Sequence, residues 1–100
     1  MSKNLLKENA KTVEQTLHEN SFEHLYVAVM SEHIVIYSKD DTEKINRSRL
    51  SLIKNEKYQL SMADHTGRWE STPYTGSLDE LLNLLTNEFA FALIDFEDFR

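Results

Sequence analysis

Apolar residues near the start of the chain recur with the period of an α-helix. Successive apolar positions are four, three and four residues apart, which places them on one stripe of a helix. They are Leu6, Ala10, Val13 and Leu17. Most of the remaining positions in this segment are polar or charged. The pattern predicts an amphipathic helix over residues 3–20, with Ser2 as its N-cap.

The apolar residues between residues 25 and 38 do not follow the helical period, and they favour a β-hairpin. Its strands would cover residues 25–30 and 33–38, around a two-residue loop at Ser31 and Glu32. With this loop, Val27 faces Ile36 and Val29 faces Ile34 on one side of the sheet. The other side pairs Ala28 with Val35 and Tyr26 with Tyr37. Because both sides are apolar, we expect this hairpin to be covered on at least one side and to lie centrally in the sheet.

A second hairpin is predicted from residues 47–54 and 58–63, and its register depends on the length of its loop. A two-residue loop at 55–56 would place Leu52 and Leu60 opposite polar residues. A three-residue loop at 55–57 keeps the leucines on one face, so we favour it. The pairs it predicts are Leu52 with Leu60 and Leu50 with Met62.

A further strand is predicted after the turn Asp64-His65-Thr66-Gly67. Aspartate at the first position and glycine at the last suit a type I turn that closes with a left-handed residue. With all four residues in the loop, Met62 faces Trp69, and Trp69 joins the apolar face. The Asp64 carboxylate is expected to accept backbone hydrogen bonds within the turn.

Ser77 and Glu80 form the pattern of a capping box, so a second helix is expected to begin at about Leu78. Residues 89–96 either continue this helix or form a buried strand, and the alternation of Phe89, Phe91 and Leu93 favours a strand. The predicted fold is α+β, in the order α-β-β-β-β-β-α-β. Two amphipathic helices would cover one face of a mostly antiparallel sheet.

Composition bounds the class of protein. The chain has 100 residues, of which 40% are hydrophobic, and this predicts a single ordered domain. It contains no cysteine, which excludes disulfides and thiolate metal sites. We find no run of apolar residues that resembles a signal peptide or a membrane span, so the expected location is the cytoplasm.

Charge is unevenly distributed along the chain. The formal net charge is −6, with −1 in residues 1–50 and −5 in residues 51–100. This balance disfavours general binding to nucleic acids or to anionic membranes. An acidic surface either keeps a small protein in solution or steers it toward a basic partner.

We find no pattern of residues that predicts a catalytic, cofactor or metal site. The four histidines have no metal-binding spacing. Asp64, His65 and Thr66 are adjacent on a tight turn, where side chains seldom converge, and no nucleophile motif accompanies them. A phosphate-binding loop is also missing, and Ser77 is explained by helix capping.

Basic residues cluster on the predicted polar face of the second hairpin and the strand after it, where Arg47, Arg49 and Arg68 are expected beside Glu70. One interpretation is a solvated face on which Arg49 or Arg68 forms an ion pair with Glu70. The other is a docking surface for an acidic partner. The residue types alone do not separate these interpretations.

The sequence favours a non-enzymatic protein-binding module, such as an adaptor, an inhibitor or an immunity-type protein. Self-association as a homodimer is one form of this hypothesis. Tyrosine and arginine are typical anchors of protein interfaces. The candidate partner-binding residues are Tyr26, Tyr37, Arg49, Arg68 and Tyr74. The alternative is a small-molecule-binding or minor enzymatic domain with a pocket near His65, Arg68 and Tyr74.

Overall fold

Two helices and five strands make up the part of the chain that the structure describes. The structure is a computed structural model, and it describes residues 2–40, 43–54, 57–64, 66 and 68–89. The elements are α1 (Ser2–Glu19), β1 (Tyr26–Met30), β2 (His33–Asp40), β3 (Glu43–Lys54), β4 (Lys57–Ala63), β5 (Trp69–Gly76) and α2 (Leu78–Asn87). This confirms the α+β class and the order of these seven elements. Of the segment predicted as a last strand, residues 90–96 lie outside the described residues.

The five strands form one antiparallel meander, in the order β1-β2-β3-β4-β5. Within the described residues β1 lies at one edge of this sheet, which contradicts the expectation that the first hairpin lies centrally. The second apolar side of this hairpin is not fully covered: Tyr26 is 44% exposed. The register of the hairpin itself is confirmed, with Tyr26 opposite Tyr37 and Val27 opposite Ile36. Ser31 has a positive φ of 58°, as tight two-residue hairpin loops require.

The core lies between the helices and one face of the sheet. All four residues of the apolar stripe predicted for α1 are buried, and so are Leu81, Leu82 and Leu85 of α2. The buried cluster is completed by Leu25, which directly precedes β1, and by five residues of the sheet: Ile34, Ile36, Leu50, Tyr58 and Leu60. The α1 helix begins at Ser2, so Ser2 belongs to the helix and is not its N-cap as predicted.

A β-bulge sets the register between β3 and β4. Leu50 lies opposite Leu60, and Leu52 lies opposite Tyr58. The register shifts between Leu52 and Lys54, and Lys54 lies opposite Lys57, with only residues 55–56 between them. The predicted three-residue loop is therefore wrong. The bulge adds one residue to β3, so a two-residue loop still leaves the leucines on the core face.

The turn between β4 and β5 is one residue shorter than predicted. The Asp64 N–H donates to the Arg68 carbonyl at 2.8 Å, so three residues separate this closing pair. Met62 lies opposite Glu70, and Ala63 lies opposite Trp69. A one-residue change of register moves every side chain of a strand to the other face. The prediction that Trp69 belongs to the apolar core face is therefore wrong.

The Asp64 carboxylate holds this turn as expected. One of its oxygens accepts hydrogen bonds from the backbone N–H groups of Thr66 and Arg68, at 2.8 and 2.9 Å. The Thr66 hydroxyl donates to the same oxygen at 2.6 Å. The Asp64 carboxylate thus provides the acceptor for two backbone N–H groups of the turn, which is the usual role of aspartate at this position.

The predicted capping box at the start of α2 is confirmed. The Ser77 hydroxyl accepts from the Glu80 backbone N–H at 3.2 Å, and the Glu80 carboxylate accepts from the Ser77 backbone N–H at 2.9 Å. These hydrogen bonds from Ser77 lower the pKa of Glu80. The box fixes the point at which the chain leaves β5 and enters α2.

Replacing Ser77 with alanine should lower the free energy of unfolding by about 0.5–2 kcal/mol, because the first turn of α2 loses its side-chain acceptor. Urea denaturation of the wild type and of Ser77→Ala measures this difference. The matched control is Ser71→Ala, since Ser71 is an exposed serine on β5. If both variants lose the same stability, the capping box does not stabilise this helix.

Candidate partner-binding surface

The face of the sheet that is turned away from the helices carries a group of basic and aromatic side chains. We call this side the outer face. Side chains of a strand alternate between the two faces, so the register assigns each residue to one of them. The group that we call the basic–aromatic surface consists of Tyr26, Tyr37, Lys39, Lys44, Arg49 and Trp69.

Two stacked tyrosines form one half of the basic–aromatic surface. The rings of Tyr26 and Tyr37 lie 5.5 Å apart between centroids, at an interplanar angle of 24°. The Lys39 ammonium group lies 5.2 Å from the centroid of Tyr26, and that of Lys44 lies 4.4 Å from the centroid of Tyr37. Aromatic stacking and cation–π contacts each contribute about 0.5–1 kcal/mol at such sites, so the four side chains hold one another in place.

Arg49 and Trp69 form the other half. The guanidinium carbon of Arg49 lies 4.8 Å from the centroid of the Trp69 ring. Arg49 is on β3 and Trp69 on β5, so the arginine side chain crosses β4. Ser61, which lies opposite Arg49 on β4, is only 2% exposed. A small residue at this position gives the arginine room to lie flat across the strand.

The Nε atom of Arg49 is buried and finds no hydrogen-bond acceptor among the described residues. A buried donor without an acceptor costs about 1–3 kcal/mol, and more when the group is charged. Such an atom therefore calls for a specific explanation. Within the described residues, the group recorded beside this guanidinium is the indole ring of Trp69.

His33 lies beside Arg49 on the outer face. Its cross-strand partner is Ser51, and its Nδ1 atom is 2.8 Å from the Ser51 hydroxyl oxygen. Burial and, second, the positive charge of Arg49 lower the pKa of His33, while Glu32 acts in the opposite direction. At a given pH the folded protein therefore binds fewer protons at His33 than the unfolded chain does. The contribution of His33 to the free energy of unfolding should therefore fall as the pH decreases through about 6.5, and level off below its folded-state pKa.

Replacing Arg49 with glutamine should raise the pKa of His33, because a neutral amide no longer opposes the imidazolium charge. An NMR titration of the histidine ring protons in the wild type and in Arg49→Gln measures the change. Arg68→Gln, which removes the same charge elsewhere, should leave the pKa of His33 where it is. An unchanged His33 pKa in Arg49→Gln would show that the two side chains do not interact.

The basic–aromatic surface stands out because the protein as a whole is acidic. The formal net charge is −6, yet the three charged side chains of this surface are all cationic. On the helices, α2 carries the exposed Asp79 and Glu80, whereas α1 carries exposed lysines, Lys7 and Lys11, as well as exposed glutamates. The basic–aromatic surface is thus a cationic group within a chain that is acidic overall.

Three of the residues predicted to bind a partner meet on this surface, namely Tyr26, Tyr37 and Arg49. Arg47 was expected beside Arg49, and this is wrong, because a second bulge shifts the register between Ile36 and Tyr37. The Nε atom of Arg47 donates to the hydroxyl of the buried Ser38 at 3.0 Å, on the helix side of the sheet. One interpretation of the sequence paired Arg49 or Arg68 with Glu70, and the register does not support the pair with Arg49, since Glu70 shares its face with Met62.

The other two predicted residues, Arg68 and Tyr74, do not join the surface. Arg68 directly precedes Trp69, so alternation places its side chain on the opposite face. Tyr74 lies 5.6 Å from Phe89 between ring centroids, at the end of α2. The two are six residues apart on or beside one strand, which corresponds to roughly 20 Å. The structure therefore does not bring Arg68 and Tyr74 into one small pocket, and His65 lies outside the described residues.

A cavity of about 320 Å³ lies elsewhere, between α1, β4 and the start of α2. It is lined by Asn9, Thr12, Tyr58, Ser77, Leu78 and Asp79. The Asn9 amide donates to the Tyr58 hydroxyl at 2.7 Å, so these polar groups satisfy each other. The described residues contain no group of three or more side chains able to hold a metal ion. None of the described helices is long and apolar enough to span a membrane.

Trp69, Lys39 and Lys44 are the residues of this surface that sequence reasoning missed. Trp69 was assigned to the core because the turn before it was counted one residue too long. Lys39 and Lys44 lie opposite each other where β2 and β3 extend beyond their predicted ends. Continuing the alternation from Tyr37 for two more residues would have placed Lys39 on the outer face.

Comparison with known proteins adds no relative to this picture. Neither a protein-family model, nor a curated protein, nor a solved structure matches the chain.

Proposed function

We propose that this protein is a non-enzymatic, cytoplasmic protein-binding module that docks an acidic segment of a partner protein on its basic–aromatic surface. The observation that carries the proposal is the grouping of Arg49 over Trp69 with two stacked tyrosines and two lysines on one sheet face. Arginine, tryptophan and tyrosine are the residues that most often dominate binding energy at protein interfaces. All three residue types are grouped here on one sheet face.

Charge and geometry both favour a carboxylate as the group that Arg49 binds. A guanidinium stacked on a ring directs its N–H groups sideways, within its own plane. In that plane a carboxylate accepts two parallel hydrogen bonds, which makes the pair both stronger and more specific than a lysine contact. Lys39 and Lys44 then add positive charge at the other end of the surface, and they speed the encounter with an acidic chain.

The same surface is a poor platform for single-stranded nucleic acids. Proteins that bind such strands stack bases on open aromatic rings in a strongly basic groove. Here the two tyrosines stack on each other, lysines lie over their rings, and Arg49 covers Trp69. The net charge of −6 further repels a phosphate backbone. An acidic protein segment, which needs cations but no open ring faces, fits better.

A comparative pull-down tests the proposal. Tagged wild type, Arg49→Glu and Arg68→Glu are used as baits in an extract of the source cells, with and without ribonuclease, and retained material is quantified by mass spectrometry. We expect a stoichiometric protein with wild type and with Arg68→Glu, and its loss with Arg49→Glu. The two variants carry the same change of charge, so net charge alone cannot produce this difference.

Two outcomes would contradict the proposal. Retention that does not respond to Arg49→Glu would place the partner on another part of the molecule. Retention that disappears with ribonuclease would show that a nucleic acid, and not a protein, is the ligand. Raising the salt concentration should weaken the expected complex, because contacts between exposed charges are screened.

A further inference from the structure

The two edges of the sheet are protected to very different degrees. The β5 edge carries Pro73 and Glu70, and its register with β4 is interrupted between Gln59 and Ser61. Proline, charge and bulges are the usual means by which proteins keep an edge strand from pairing with another chain. The β1 edge has the sequence YVAVM, without a charge, a proline or a glycine. Among the described residues β1 pairs with β2 alone.

The side of β1 that faces away from β2 presents the backbone groups of two valines. In an antiparallel hairpin with a two-residue loop, the pair next to the loop is hydrogen-bonded, and hydrogen-bonded and non-hydrogen-bonded pairs then alternate. Met30 and His33 flank the loop and form the first hydrogen-bonded pair. By alternation, Ala28 and Val35 form the next one. Val27 and Val29 belong to the non-hydrogen-bonded pairs, so their backbone groups do not face β2. The N–H and C=O groups of Val27 and Val29 therefore point outward from the sheet edge.

The sequence of β1 is nearly the same in both directions. Valine stands on each side of Ala28, and a large, exposed apolar residue stands at each end. Tyr26 is 44% exposed and Met30 is 53% exposed. In an antiparallel pair of β1 strands centred on Ala28, Val27 faces Val29 of the other copy and Tyr26 faces Met30. A methionine sulfur against an aromatic ring is a favourable contact, and the twofold axis forms it twice.

We propose that two copies of this chain associate through β1, antiparallel and about a twofold axis at Ala28, to form one continuous ten-stranded sheet from two five-stranded ones. A twofold dimer is the commonest form of self-association, and it requires a surface that matches itself. The outward-pointing backbone groups of β1, which pairs with β2 alone among the described residues, and its near-palindromic side chains meet that requirement. This inference does not depend on the partner proposed above.

In this dimer, the outer faces of the two sheets lie on the same side. In a register centred on Ala28, each residue lies opposite one that belongs to the same side of its own sheet. The two basic–aromatic surfaces thus lie side by side on one side of the dimer. A partner with two acidic segments would bind both, which raises its apparent affinity without a new contact.

The test uses the full chain and needs no partner. Light scattering should give twice the monomer mass of 11.7 kDa, with dissociation on dilution. Ala28→Cys provides a second measurement, because the chain has no cysteine of its own. The two Ala28 residues form a non-hydrogen-bonded pair about 4.5 Å apart between Cα atoms, which is within the range for a disulfide. We expect rapid covalent dimers under mild oxidation with Ala28→Cys, and slow ones with the control Tyr74→Cys, which lies on the protected β5 edge.

Other results would overturn the inference. A wild type that stays at 11.7 kDa at its highest attainable concentration does not form this dimer. Equal rates of cross-linking in Ala28→Cys and Tyr74→Cys would exclude pairing at β1. Dimers that appear only after removal of residues 90–100 would show that the chain covers this edge itself. A dimer that survives Ala28→Lys, which places two like charges opposite each other, would lie elsewhere.

Discussion

Replacing Leu60 with alanine should lower the free energy of unfolding by about 2–5 kcal/mol, because it removes a buried side chain and leaves a cavity. Leu60 is fully buried, lies opposite Leu50 and belongs to the cluster between sheet and helices. Domains of this size are commonly stable by only about 5–15 kcal/mol. We therefore expect this variant to be partly or largely unfolded near physiological temperature.

Urea denaturation followed by circular dichroism measures the effect on stability. The matched control is Ile53→Ala, since Ile53 is 49% exposed. The control removes a side chain of the same size from a site that is already in contact with water, so its effect should be much smaller. Equal losses in the two variants would mean that the face carrying Leu60 is not the core of the sheet.

The predictable parts of this fold follow from sequence patterns that do not change when a bulge or a turn contains one residue more or less. Three helical turns of apolar residues identify α1, and a serine and a glutamate at the capping distance identify the start of α2. The first hairpin has one short loop and apolar residues on both sides of it. Its register could be predicted because Ser31 and Glu32 are the only polar residues between Tyr26 and Ile36 apart from His33.

The parts that were not predictable depend on one extra residue in a bulge or on one residue fewer in a turn. The bulge between Leu52 and Lys54 keeps the leucines of β3 and β4 on one face with a two-residue loop, whereas a regular ladder would need a three-residue loop. The turn closes with Asp64 opposite Arg68, whereas the predicted four-residue loop would place Ala63 opposite Arg68, and this one residue decides the face on which Trp69 lies. Bulges and turn lengths reflect local backbone hydrogen bonds, which the alternation of apolar residues does not record.

This explains why only half of the candidate surface was found in the sequence. Tyr26 and Tyr37 follow from the first hairpin, and Arg49 follows from the polar side of β3. Trp69 was placed on the wrong face, so the stack that gives Arg49 its position was not visible. To predict a site that extends over five strands, all four strand pairings must be assigned in the correct register. A site on a single helix can be predicted without any register.

Replacing Arg49 with glutamate should weaken the complex with the acidic partner by about 30-fold to several thousand-fold. This corresponds to the roughly 2–5 kcal/mol that is lost when one member of a buried charge pair is removed. The variant leaves the partner's carboxylate without its hydrogen bonds and places a like charge beside it. Isothermal titration calorimetry with the purified partner from the pull-down measures the loss.

Two further variants separate the causes of this loss. Arg68→Glu changes the net charge by the same amount, but it lies off the basic–aromatic surface and should reduce affinity by less than tenfold through charge alone. Arg49→Lys keeps the charge and loses the planar guanidinium, so its affinity should lie between those of the wild type and Arg49→Glu. If Arg49→Glu binds as well as Arg68→Glu does, Arg49 is not the residue that holds the partner.

The central claim is that the outer face of the sheet is where the partner docks. An NMR footprint of the isotope-labelled protein, recorded with and without the purified partner, tests it most directly. We expect the largest changes at the Trp69 indole N–H, the Arg49 side chain and the amides of Tyr26 and Tyr37, with the signals of α1 and α2 nearly unchanged. Changes concentrated on the helices, with the Trp69 indole signal unmoved, would contradict the account.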